Sequence, residues 1–519
     1  MRSGDIGEPA SSRGGSGAPI TPYDEFRYPG HFYPQASPDH MAVLAVLYGL
    51  DPAPVERSRI LELGCGEGGH LRPLAYALPE SQFLGVDLSQ AAIARAQALA
   101  ERAELKNAEF RSQNLTDFPE AAGRFDYIIA HGVYSWIPEP EQHALLEICR
   151  RHLAPEGVAY ISYDTYPGGH LRQILRDLAV FHTSAISESG AMVREAHKVS
   201  EFILSAMPAR SLERELLRKL LQRYKESDAL TRFDLLAEDH EPSYFLDFME
   251  RAGAHGLQYL GESDVKSMQT APLPKHTREW LDAIPNRLVR EQYLDFIHCR
   301  GFRQTILCLA GRKIELDAAA RTMERLMVSG SLRPAQPLGD LDGGQKVEFR
   351  TARGLAVNCT EAMHKAVYDE LGAAYPRALL YGELRSRVCR RLGWDEPLDG
   401  AAEAKLIHAL MSSQANDVVE FHTYRPPFAT EVGERPIASK SARIQIEKSD
   451  TVSSMRFASI AVDDPVMRMI LPLLDGTRDL RQLQIDLQNP NAPGGAHFVE
   501  TALIDKALKS LAGHGLLVG

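Results

Sequence analysis

Arg59-Ile60-Leu61-Glu62-Leu63-Gly64-Cys65-Gly66-Glu67-Gly68-Gly69 decides the fold, together with Leu71 to Leu78 and Phe83-Leu84-Gly85-Val86-Asp87 behind it. Ile60 to Leu63 is a short apolar run ending in a glycine cluster, the pattern of a buried parallel strand entering a tight turn. Leu71, Leu74, Ala75 and Leu78 follow at helical spacing, and Pro79 closes that helix. Phe83 to Val86 is a second apolar run, and an acid ends it. Strand, glycine loop, helix, strand and acid make the nucleotide-binding half of a doubly wound sheet. Glycines let backbone approach a ligand where a Cβ would clash, and Asp87 can accept hydrogen bonds from two ribose hydroxyls.

Gly64, Gly66 and Gly69 satisfy GxGxxG, which alone is a weak hint of a dinucleotide. Glu62, two residues before the first glycine, redirects the reading. An acid beneath a pyrophosphate is repelled, whereas beside a cationic aminoacyl-sulfonium it is attracted. ExGxGxG is the form seen in S-adenosylmethionine (SAM) enzymes, and no lysine follows in the P-loop arrangement. SAM is therefore the expected cofactor, held by Glu62, Gly64, Cys65, Gly66, Gly68, Asp87 and Leu88.

Working outward, Ser89 is an N-cap for a helix from Gln90 to Arg102, and Ala108 to Gln113 reads as a third strand. Asn114 stands just past it, where SAM enzymes place a polar partner for the adenine amino group, with Leu115 beside it. Phe125 to Ala130 is a fourth strand, ending in His131-Gly132-Val133-Tyr134-Ser135-Trp136. Carboxyl ends of parallel strands are where open α/β sheets bind ligands, so His131 and Gly132 join the expected cofactor contacts. A helix from Glu141 to His152 and a fifth strand, Val158 to Tyr163, complete a series that predicts a parallel α/β sheet.

The chain of 519 residues has room for two or three domains, and its 44% hydrophobic content is ordinary for a globular protein. A net charge of -11 shows no basic excess of the kind a general nucleic-acid binder carries. Six cysteines without a CxxC pair or zinc spacing read as buried thiols in a reducing compartment, with no metal site. No apolar run has transmembrane length, and residues 1–20 lack a signal peptide's apolar centre; a cytoplasmic protein without membrane insertion is expected. Residues 1–20 read as a disordered tail. The aromatics from Tyr23 through Phe26, Tyr28, His31, Phe32 and Tyr33 suggest an arm folded over the ligand site.

Beyond Pro167-Gly168-Gly169 the pattern is helical to about Asp234, most clearly with Leu212, Leu216, Leu217, Leu220, Leu221 and Tyr224 on one face. Leu257 to Leu260 and Phe302 to Leu309 are the next apolar strands. Read as an antiparallel pair, they close a seven-stranded Rossmann-like α/β sheet with helical insertions. The expected division is a core at 21–183, a helical insertion with the last two strands at 184–310, and a polar linker around Ser329 to Gly344. Two α+β modules follow at 345–425 and 440–519, each with three helices and a β end, the winged-helix pattern. Their charges nearly balance, which favours protein docking over nucleic acid.

Together these stretches resemble the bacterial class I SAM-dependent methyltransferases that carry a methyltransferase regulatory domain. The resemblance rests on Tyr23-Asp24, Leu61 to Gly66, Gly85 to Ser89, the block Phe125 to Pro138, Tyr160 to Tyr163, Glu291 to Phe296 and Phe302 to Thr305. The relatives it brings in are the rickettsial protein-lysine methyltransferases that modify outer-membrane protein B. It implies a protein substrate with a lysine acceptor. Asp164 departs from the family, which usually has asparagine there; if it touches the acceptor, an added negative charge would favour a cationic or differently shaped substrate.

Methyl transfer from SAM is an in-line displacement, so the protein mainly supplies positioning and a dry site. An amine must first lose a proton, which burial and a nearby cation both favour. Tyr23, Tyr28, His131, Tyr134, Trp136 and Tyr163 are the expected catalytic slot, where aromatic faces would hold a methylammonium. Two alternatives stay open: small-molecule O- or N-methylation on the same sheet, and a non-catalytic SAM-binding regulatory scaffold.

Overall fold

Strand β1 (Arg59–Leu63) sits inside a seven-stranded sheet with β2 (Gln82–Asp87), β3 (Ala108–Ser112), β4 (Phe125–Ala130), β5 (Leu153–Asp164), β6 (Leu257–Glu262) and β7 (Phe302–Leu309). The structure is a computed structural model that describes residues 26–28, 30–316, 320–339, 341, 344–488 and 499–519. The strand order is β3-β2-β1-β4-β5-β7-β6. β1 to β5 are parallel, and β7 inserts antiparallel between β5 and β6, with Ile161 opposite Thr305 and Tyr259 opposite Leu307. The order reverses between β1 and β4, which opens a crevice beyond their carboxyl ends.

Helices cover both faces, which is why these strands read as continuous apolar runs. Ile60, Phe83, Tyr127, Ile129 and Tyr160 pack to one side with Leu71 and Leu74 of the helix Leu71–Ala77. Leu61, Val86, Ile128 and Ile161 pack to the other, against Leu145 and Leu146 of the helix Glu139–His152. Successive side chains of a strand alternate between faces, and that parity decides which residues reach the crevice.

The insertion after β5 contains helices Gly169–Thr183, Ser189–Ala206 and Leu212–Lys225, which share a core of Leu175, Ala179, Val193, Leu217, Leu221 and Tyr224. Leu212, placed by its spacing on the apolar face, is instead exposed in the first turn, next to the capping Ser211. A π-turn, Thr231–Leu235, ends this layer.

Met327–Ser329 forms a strand between Leu379–Leu380 and Glu420–His422, and Arg333–Pro334 pairs with Val347–Arg350. Part of the expected linker at 329–344 is therefore built into the first C-terminal module, ahead of the boundary at 345. A three-residue apolar strand is too short to register as periodicity. The last module has helices Lys440–Gln445, Pro465–Ile470, Leu480–Gln488 and Thr501–Gly513 with the ladder Thr451–Ser453 against Ser459–Ala461. Its Met455 and Phe457, with Tyr424, pack into the same core as Leu71 and Leu74. Among the described residues no helix is long and apolar enough to cross a membrane.

Candidate active site

The chain leaves β1 at Gly64, and the N–H groups of Gly64 and Cys65 both donate to Val86 O, at 2.8 and 3.0 Å. Asp87 closes the loop from the next strand: Oδ2 accepts from Gly66 N at 2.8 Å and Oδ1 from Ser89 N at 2.9 Å. Gly66 has φ +51°, and a Cβ built on it meets nothing within 4 Å. The loop's concave side is thus open where a side chain would intrude. Glu62 lies beneath it, buried, its carboxyl pushed well above the usual range by burial and then by Asp87. Its Oε2 has no hydrogen-bond partner among the described residues.

The N-terminal arm crosses the outside of this loop. A Cβ on Gly69 would stand 2.5 Å from Gly30 C, so the two backbones touch through glycine alone. Glu67 ties the arm down by accepting from Arg27 Nε at 2.7 Å and Nη2 at 2.8 Å, and it also takes Arg95 Nε at 2.7 Å. Tyr33 N donates to His70 Nδ1 at 3.2 Å. Burial pulls the His70 imidazole down to about 4, which keeps it neutral and able to accept. The Tyr33 ring then stacks on His131, with centroids 3.7 Å apart and planes 27° apart.

His131 and Gly132 follow β4 and are held from β5. His131 Nδ1 lies 2.8 Å from Tyr160 Oη, and Gly132 N donates to Ser162 Oγ at 2.7 Å. Burial lowers the His131 pKa to about 3, so the ring is neutral near pH 7 and a poor proton acceptor. Tyr160, Ser162 and Asp164 share one face of β5, and each serves the crevice. Tyr163 is on the opposite face. It stacks on Phe248 at 4.0 Å and lies 3.2 Å from Thr305 Oγ1 through its hydroxyl. Tyr134 is buried in the same cluster, edge-on to Phe248 at 5.1 Å. Neither side chain lines the slot expected of it. Strand parity, applied to β5, would have selected Tyr160 and Ser162 instead.

Beyond His131 the half-buried Trp136 stacks its ring on His240 at 4.2 Å. Asp164 Oδ2 accepts from Arg172 Nη1 at 2.6 Å and lies 2.8 Å from His240 Nε2. Tyr28 comes over from the arm, edge-on to Phe233 at 5.5 Å, and burial pushes its phenol up to about 12. Tyr23 lies outside the described residues. At the cofactor end Leu88 is 40% exposed, an apolar surface next to Asp87. Asn114 Oδ1 is taken by Thr116 N at 3.1 Å, and Leu115 is partly buried against the sheet. A polar hollow of about 670 Å³ at the amino ends of β1 and β2 holds none of these residues.

Three family profiles match the chain: "Methyltransferase domain" over residues 60–157, "Predicted methyltransferase regulatory domain" over 228–309, and "PKMT, C-terminal winged helix domain" over 434–516. The uncharacterized protein RP028 of Rickettsia prowazekii is 34% identical over 235 residues, 44% of this chain and 93% of RP028. The chain belongs to this SAM-dependent methyltransferase family. RP789 of the same organism is 35% identical over 332 residues, 63% of the methyltransferase and 60% of RP789's own length. The solved PKMT2 of Rickettsia typhi in complex with AdoHcy superposes with TM-score 0.82 at 24% identity, covering 95% of this chain and 100% of that one.

The methyltransferase's own residues fit SAM on two observations. Glu62 Oε2 is a buried acceptor without a partner among the described residues, and Gly66 and Gly132 both leave open space where a Cβ would stand. Asp87 is fixed at the end of β2, as a ribose acceptor requires.

Proposed function

We propose that this methyltransferase transfers methyl groups to lysine side chains of a protein substrate. The observation that carries the reading is the chemistry of the slot. Tyr28, Tyr33, His131 and Trp136 supply flat faces around it, and Asp164 sets a carboxylate at its end in place of a neutral amide. Aromatic faces and an acid favour a cation over a carboxylate metabolite. PKMT2, which shares the whole architecture, bears a protein-lysine methyltransferase name.

SAM would be held by Glu62 at its cationic end, by the backbone of Gly64 to Gly68, by Asp87 at the ribose and by Leu88, Asn114 and Leu115 around the adenine; it supplies an electrophilic methyl group. The protein's remaining work is to exclude water and aim a neutral amine. The neutral His131, held by Tyr160, presents a flat wall and removes no proton near pH 7. The lysine enters with its pKa lowered by desolvation and releases its proton to solvent along the slot. Activity should therefore rise with pH and level off once that lowered pKa is passed.

Mass spectrometry of an unfolded protein incubated with SAM and the enzyme tests this. One or more methyl groups on lysine are expected, and their loss in Tyr33→Ala would tie them to the slot. Methyl groups found only on hydroxyls, carboxylates or small metabolites would overturn it.

A further inference from the structure

Asp234 is a half-buried carboxylate on the π-turn Thr231–Leu235, which ends the helical layer over the slot. Single π-turns of this kind recur at functional sites. Phe233, the residue before it, is edge-on to Tyr28 at 5.5 Å and to Phe26 at 6.2 Å, which pins the turn to the arm. The charged and titratable groups around Asp234 are Arg172, Asp164 and Arg223 from the helical layer and β5, with Tyr28, Tyr33 and Tyr224.

Arg172 is committed elsewhere. Its Nη1 donates to Asp164 Oδ2 at 2.6 Å, and His240 Nε2 approaches the same oxygen at 2.8 Å. Asp164 is thereby satisfied, while no described residue donates a hydrogen bond to Asp234. A half-buried carboxylate without a protein donor is left to water, and a ligand that brings N–H groups can take that water's place. Burial lifts the Asp234 carboxyl to about 6; Arg172 pulls it down, Asp164 pushes it up, and Arg223 pulls it down again.

We propose that Asp234 anchors the ammonium of the incoming primary amine and seats its alkyl stem between Tyr28 and Tyr33, in front of His131. The inference rests on the lysine reading above and names the residue that selects for it. It is a binding step, with no bond made or broken. Arg172 is paired with Asp164 and Arg223 is exposed, so among the described residues neither forms an ion pair with Asp234, whose carboxylate can match one cation. Free in water an alkylammonium is charged to about pH 10, so the pH dependence of its binding below neutrality belongs to the carboxylate. Affinity should rise as pH rises through about 6 and flatten above it.

Calorimetry with n-butylammonium, titrated into the full chain saturated with S-adenosylhomocysteine, tests this, with n-butanol as the uncharged control. The amine should bind about tenfold more weakly at pH 5 than at pH 7.5, since one pH unit below its pKa about a tenth of a carboxyl is ionised. Asp234→Asn should lose tenfold or more at pH 7.5 together with the pH dependence, and Asp234→Glu should keep part of both. S-adenosylhomocysteine affinity should stay within twofold in both variants, which shows an intact fold. No amine binding by the native protein, equal binding by Asp234→Asn, or a flat pH profile would each overturn the assignment. Lysine methylation undiminished in Asp234→Asn overturns this anchor alone. An amine site lost in Asp234→Asn, with methyl groups arriving only on hydroxyls or metabolites, overturns the lysine reading alone.

Discussion

Replacing Arg303 with methionine should unfold the end of the sheet that carries β6 and β7. The guanidinium is fully buried and spends its donors on three acids. Nε donates to Asp295 Oδ2 at 2.9 Å, Nη1 to Glu262 Oε1 at 2.5 Å, and Nη2 to Asp295 Oδ1 at 2.8 Å and Glu291 Oε2 at 3.3 Å. It also lies over the Phe245 ring, 3.8 Å from its centroid. Without it, the three carboxylates are left with Arg300, 3.2 Å from Asp295 and 4.0 Å from Glu291, and with Arg287 near Glu291. Methionine has a similar reach and leaves little cavity, so the loss is electrostatic. Breaking a buried pair from one side costs about 3–5 kcal/mol.

In a unit of this size each kcal/mol moves a melting midpoint by about 2–4 °C, so a drop of about 6–20 °C is expected by circular dichroism. The pH dependence supplies a second reading. Burial already holds the Glu291 and Asp295 carboxyls above their ordinary values with Arg303 present. Removing the cation raises them further, so the native variant binds more protons than its unfolded chain, and its stability falls as pH rises. The deficit against the native protein should thus be larger at pH 8 than at pH 5.5. Arg303→Lys should fall between, keeping the charge and losing the fork. A drop under about 3 °C at pH 8, or one of equal size at both pH values, would refute this account of the cluster.

Asp87→Ala removes both the ribose acceptor and the partner of Gly66 N, so S-adenosylhomocysteine affinity should fall tenfold or more, about 1.4 kcal/mol, by calorimetry; equal affinity would refute the cofactor assignment. Gly69→Ala forces a methyl group to within 2.5 Å of Gly30 backbone; the arm should lift, at about 1–3 kcal/mol, and trypsin should cut faster at Arg27. Unchanged cleavage would mean the arm was never seated there. His422→Ala breaks the joint in which Asp39 Oδ2 lies 2.9 Å from His422 Nδ1 and Ser329 Oγ lies 2.9 Å from its Nε2. It should cost about 1–3 kcal/mol and let the C-terminal modules melt ahead of the sheet, seen by calorimetric scanning; a single unshifted transition would count against coupling through this joint.

What could be read from the chain beforehand, and what could not, follows from the range of the interactions involved. Glu62, the glycines and Asp87 lie within one strand–helix–strand unit, so local rules of turn, period and strand end place them together. The last two strands were legible for the same reason: each is a buried apolar run, and the sheet's need for a covered edge assigns them. Tyr163 was misplaced although the rule needed was also local. Aromatic character drew it to the slot, and the two-residue period of β5 turns it away and brings in Tyr160, Ser162 and Asp164. The far wall is different in kind. Trp136 meets His240, Asp164 meets Arg172, and Tyr28 meets Phe233 across gaps that no periodicity spans. Asp234 is the extreme case, since its environment is made by the arm, β5 and two helices at once. In the sequence it is one more acid at the end of a helical pattern. Only when Arg172 is seen to be occupied by Asp164 does the neighbouring carboxylate stand out as lacking a donor. A site of this family is therefore legible where it grips the cofactor, within one repeat, and becomes legible where it grips the acceptor only after the fold has brought distant segments together.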